Sequence, residues 1–155
     1  MATDADGDAD LDAVRAQRVG LRGAMDQVER SIVAAATGRV AEWSAAVRAA
    51  MENLSNAFEH HMKVTEASDG LLAEVMQEAP RLARRVDIIK ADHATIGAAL
   101  EGVQRTLRQG DAADDVGVRR LTDDVISLLS QLVQHRHLGA DLVYEAYNVD
   151  IDAAD

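Results

Sequence analysis

Apolar residues recur along this chain at alternating steps of three and four, the spacing that keeps one side of an α-helix dry. Four such runs are present. The first spans about Asp12 to Ala36 and stops at Thr37-Gly38, where glycine suits a left-handed helix end. The second begins near Val40, passes through Trp43, Leu54 and Phe58, and reaches about Ala67. Ser68-Asp69-Gly70 interrupts it, and a short helical piece is expected before Pro80. Proline fits the first turn of a third helix, because its missing N–H would find no acceptor there. That helix ends near Gly110, an acidic connection covers Asp111 to Gly117, and a fourth helix runs from about Val118 to Tyr147. Short connections between long helices make neighbours antiparallel. The predicted fold is all-α, an up-down-up-down antiparallel four-helix bundle. It forms one domain over 11–147, flanked by a disordered acidic tail at 1–10 and an acidic tail at 148–155, neither of which can bury enough apolar surface to offset its ordering entropy.

Each apolar stripe carries one strongly polar residue. On the third helix the stripe is Leu82, Val86, Ile89, His93, Ile96, Leu100, Val103 and Leu107. On the fourth it is Leu121, Val125, Leu128, Leu132, His135, Gly139, Leu142 and Ala146, with His137 on a polar face beside Ser127, Ser130, Gln134 and Asp141. The second presents Val47, Ala50, Leu54, Ala57 and His61, and turns His60 about 100° away. The first presents Leu11, Val14, Leu21, Met25, Val28 and Ile32, with Arg18 as its polar member. Counting from the turns tests whether these residues share a level. His93 lies 17 residues before Gly110 and His135 lies 18 after Gly117, a good match. Around Pro80 the match is poorer, with His61 19 residues before it and His93 13 after. Facing helices build metal sites in bundle cores from such groups, and neutral imidazole is a good ligand; a metal-free layer of hydrogen-bonded histidines is the competing expectation.

Composition narrows the chemistry. The 155 residues suffice for one core, a single proline favours uninterrupted helices, and a net charge of −11 opposes binding to nucleic acid or an anionic membrane. No targeting segment and no membrane-length apolar run is visible, so a cytoplasmic protein is expected. The absence of cysteine leaves histidine and carboxylate as the available metal ligands. No phosphate-binding glycine loop, Ser-His-Asp set or HExxH motif is present. Glu29 reads as a surface charge, and Met25, Met51 and Met62 as packing residues. Trp43, Tyr144 and Tyr147 read as packing residues with a polar tip. Asp92 and Glu59 read as exposed charges, although either is able to accept an imidazole N–H.

With "HHMKVTE", "KADH" and "QHRHLGAD" in place, the chain resembles a hemerythrin-like domain of the histidine-histidine-glutamate cation-binding class, in an actinobacterial-type branch. The resemblance covers roughly residues 11 to 147. It implies a non-haem di-iron centre that meets oxygen, peroxide or nitric oxide, with manganese or zinc also compatible. His61, His93 and His135 are then the nitrogen ligands, Glu66 is the favoured oxygen ligand, and Asp141 and Glu145 are its alternatives. The chain departs from the family pattern at three slots: Arg18 replaces the first-helix histidine, Thr65 stands four residues after His61, and Gly139 stands four after His135. Asp141 reaches the site only if the helix bulges near Gly139. The alternative function is a non-enzymatic interaction or regulatory module with a degenerate site, in which Arg18 pairs with Glu66. The oligomeric state stays open, a homodimer included.

Overall fold

In the computed structural model the described residues are 20–110 and 112–152, and no strand occurs among them. Helix α1 covers 20–33. It is followed by α2 (Val40–Glu66), the short α3 (Leu71–Glu78), a 3-10 turn at Pro80–Leu82, α4 (Ala83–Gln109) and α5 (Asp115–Asp152). The architecture is an all-α four-helix bundle of α1, α2, α4 and α5, with α3 packed against its end. The expected acidic tail at 1–10 and the position of Arg18 lie outside the described residues. None of the described helices is long and apolar enough to cross a membrane.

The helix ends follow from a few residues. Gly38 and Gly110 both adopt φ +72°, the left-handed conformation that glycine enters without a Cβ clash. Gly110 caps α4, and Arg48 of α2 donates to the Leu107 carbonyl at 2.9 Å, satisfying one of the acceptors left over at that end. The first helix stops at 33 rather than at Ala36, and Ala36 instead accepts from the Arg39 N–H in a turn. At α5 the helix starts three residues earlier than the expected Val118. Asp114 explains this, because its carboxylate accepts from the Gly117 N–H at 2.8 Å, the N-cap arrangement. At the other end α5 extends through Asp152, past Tyr147. The short piece expected before Pro80 is α3, and Pro80 opens the turn that leads into α4.

The core divides in two. A larger apolar cluster joins Leu21, Met25 and Val28 of α1 to Trp43, Leu54 and Phe58 of α2, Ile96 and Leu100 of α4, and Leu128 and Leu132 of α5. A smaller one joins Leu72 and Val75 of α3 to Leu82, Val86, Ile89, Leu142 and Ala146. On α4 the boundary between them falls between Ile89 and Ile96, and on α5 between Leu132 and Leu142. The second cluster exists because α2 stops at Glu66 and α3 takes over its wall. This is the reason that the residue count around Pro80 failed to match: the extra residues on the α2 side form a separate helix. Tyr147 reaches back to α3, its hydroxyl donating to Glu74. Met25 and Met51 are buried and Met62 packs against the core, while Glu29 is exposed. Trp43 is buried as expected, but its indole N–H has no hydrogen-bond partner among the described residues, and Tyr144 points into solvent rather than into the packing.

The α2–α3 turn tolerates only glycine at position 70, where an added Cβ would run into the Val64 carbonyl oxygen and lie 2.9 Å from that of Thr65. A Cβ at Gly139, inside α5, meets nothing within 4 Å. Gly70→Ala is therefore expected to cost about 1–3 kcal/mol, and Gly139→Ala to gain about 0.5–1 kcal/mol. Chemical denaturation of the two variants checks both signs.

Candidate metal centre

The helical seams deliver one imidazole each from α2, α4 and α5 to the boundary between the two apolar clusters. His93 and His135 are buried at 1% and 3% exposure, and His61 is half-buried. The ring centroids of His61 lie 5.3 Å from those of His93 and His135, which are 4.7 Å from each other. Each ring offers a nitrogen, and the three nitrogens lie within 4.8 Å of one another. Phe58, one helical turn before His61, covers the group from the larger cluster, with its ring 5.9 to 6.2 Å from all three imidazoles. His60 and His137 are exposed, as their helical faces dictate.

Carboxylates fix the orientation of two rings. His93 Nδ1 is 2.5 Å from Glu66 Oε1, and His135 Nδ1 is 2.7 Å from Asp92 Oδ2. A carboxylate oxygen accepts, so both Nδ1 atoms donate, and in neutral rings both Nε2 atoms carry lone pairs. His135 Nε2 faces His61 Nε2 at 3.1 Å. His93 Nε2 is buried and has no hydrogen-bond partner among the described residues. A buried acceptor without a donor is costly, and a cation facing these nitrogens would satisfy it. The donor set fits a metal on chemical grounds too, since imidazoles that ligate metals characteristically donate their other N–H to a carboxylate.

The three carboxylate candidates differ in where they stand. Glu66, the last residue of α2, sits on the Nδ1 side of His93 with its side chain 38% exposed. Asp141 is exposed, because α5 continues as unbroken α-helix through Gly139 and no bulge turns that carboxylate inward. Glu145 is engaged by Arg85 through its carboxylate and by Arg81 through its carbonyl, at 2.9 Å for the latter. None of the three belongs to the histidine group. Glu59 pairs with Lys63 on the surface. Asp92 corrects the expectation of an exposed charge: it is partly buried against His135. Its partner is on another helix, which one-helix-at-a-time periodicity does not reveal. The available signal was its place directly before His93, about 100° around α4 and so toward a neighbouring helix.

A family model described as the hemerythrin HHE cation binding domain matches residues 9–146. The chain belongs to the hemerythrin HHE cation-binding family. No curated protein and no solved structure matches it. In this hemerythrin-family chain the residues placed to hold a cation are His61, His93 and His135, through the nitrogens that converge between the helices. The ion would supply Lewis acidity and, for a redox metal, electrons. The chain's own part is to present three lone pairs, hold two rings by their Nδ1 protons, and keep water from the Phe58 side.

Burial lowers the His135 pKa below its ordinary 6.5. The Asp92 hydrogen bond opposes this, the charge of a protonated His93 adds to it, and the Asp92 charge opposes it again. The folded chain thus binds fewer protons than the unfolded one as pH falls below about 6.5. The stabilising contribution is complete above that value and is lost as pH drops through the folded-state pKa. Thermal denaturation of metal-free protein at about pH 7.5 and about pH 5.5 is expected to show a larger acid loss in the wild type than in His135→Gln. Equal losses would mean that this imidazole's titration is not linked to folding.

Proposed function

We propose that this protein binds a transition-metal ion through His61, His93 and His135 and offers it to a small ligand: dioxygen, peroxide or nitric oxide. The observation that carries this reading is the convergence of three imidazoles whose most buried member, His93, has an Nε2 with no hydrogen-bond partner among the described residues. Three nitrogen ligands from the protein leave coordination positions open to an exogenous molecule, the arrangement that separates reactive sites from closed structural ones. Imidazole suits iron, zinc, copper and nickel. Non-haem iron is the proposed metal, with zinc or manganese as substitutes to be distinguished by analysis.

Protein produced in iron-supplemented medium is expected to carry metal at a level comparable to the chain concentration, and His61→Ala, His93→Ala and His135→Ala are each expected to remove most of it. His137→Gln, on the solvent face of α5, should leave the content unchanged. Elemental analysis of the five proteins decides. Metal far below one per chain in the wild type, or equal content in all of them, contradicts the proposal.

A further inference from the structure

We infer that the site takes one ion rather than two, and that Glu66 and Asp92 act on it as positioning residues instead of ligands. This rests on the metal-binding reading above and adds its nuclearity and the role of its carboxylates. Two nitrogens on one tetrahedral ion with bonds of about 2.1 Å stand about 3.4 Å apart. The three nitrogens lie within 4.8 Å of one another, so side-chain rotation that closes the widest pair by no more than about 1.4 Å gathers all three on one tetrahedral centre. Two ions about 3.5–4 Å apart would have to divide three nitrogens, and at least one ion would keep a single protein nitrogen. Bridging carboxylates are what such a pair requires. Among the described residues the histidine group contains none.

The two carboxylates that meet His93 and His135 are already placed for another task. Glu66 Oε1 and Asp92 Oδ2 meet Nδ1 of His93 and His135 at 2.5 and 2.7 Å, so each carboxylate already holds one ring nitrogen of a histidine. Moving either oxygen into the site would release the N–H that fixes its histidine's tautomer. The sequence positions four residues after His61 and His135, from which a helical carboxylate would share the histidine's face, hold Thr65 and Gly139. Both lack the group. The relay also alternates between helices: Glu66 of α2 holds His93 of α4, and Asp92 of α4 holds His135 of α5. Consecutive residues of α4 therefore serve two different rings, one as the held histidine and one as the holder.

The test titrates metal-free protein with Co²⁺ and, without oxygen, Fe²⁺, reading stoichiometry by native mass spectrometry and ligand field by the Co²⁺ visible spectrum. One ion per chain is expected for the wild type and for Glu66→Ala and Asp92→Ala, with affinity lower by about 10–100-fold in each variant. Asp92→Asn should recover part of the loss, because its amide oxygen still accepts from His135 Nδ1, and the Co²⁺ bands should keep their positions. Both carboxylates are partly exposed, so their removal leaves the core packing in place. Two ions per chain in the wild type overturn the one-ion assignment. A bound-ion count that falls in Glu66→Ala or Asp92→Ala, or Co²⁺ bands that move, makes the carboxylate a ligand. Unchanged affinity in both alanine variants removes the positioning role, and failure of the wild type to bind any metal removes the underlying reading as well.

Discussion

Three imidazoles meet at the boundary between two apolar clusters, and every ring nitrogen buried there needs a partner. That requirement organises the centre of the molecule. Glu66 and Asp92 satisfy Nδ1 of His93 and His135, and His61 and His135 face each other through Nε2, so α2, α4 and α5 are joined in a closed circuit of polar contacts. Among the described residues His93 Nε2 has no hydrogen-bond partner. A bundle stabilised by packing alone would place leucine at these seam positions, since unsatisfied polar groups in a core reduce stability. Their retention is understandable if something binds between them.

The layer also accounts for the unusual shape of the second wall. The larger cluster is closed off by Phe58 above the histidines, and below them α2 ends at Glu66, whose carboxylate is thereby free to turn toward His93. An uninterrupted α2 would hold residue 66 on its helical face and continue as a single wall. Instead the Gly70 turn redirects the chain and α3 supplies Leu72 and Val75 to the smaller cluster. The position of a helix break and the position of a histidine's acceptor are thus set by the same few residues.

Much of this was legible in the chain. Seam counting identified His61, His93 and His135 as the inward histidines and His60 and His137 as the outward ones, because each decision depends only on helical period and on unambiguous leucine, isoleucine and valine neighbours. Glycine and proline marked most of the helix ends. What periodicity missed was relational. The Asp92 contact with His135 and the Glu66 contact with His93 both cross between helices, and their registers depend on how far α3 displaces the chain between α2 and α4. The start of α5 was missed for a local reason, the capping side chain of Asp114, which resembles any other acid in an acidic connection. Tyr144, which reads as a packing residue with a polar tip, is instead exposed on α5.

X-ray absorption at the edge of the bound metal tests the central claim most directly, because it reads the first coordination shell without reference to activity or stability. The account predicts nitrogen scatterers at about 2.0–2.1 Å, the outer-shell multiple scattering of three imidazoles, and no metal neighbour. A metal–metal vector at about 3.5–4 Å, or fewer than three imidazoles around the ion, would contradict it.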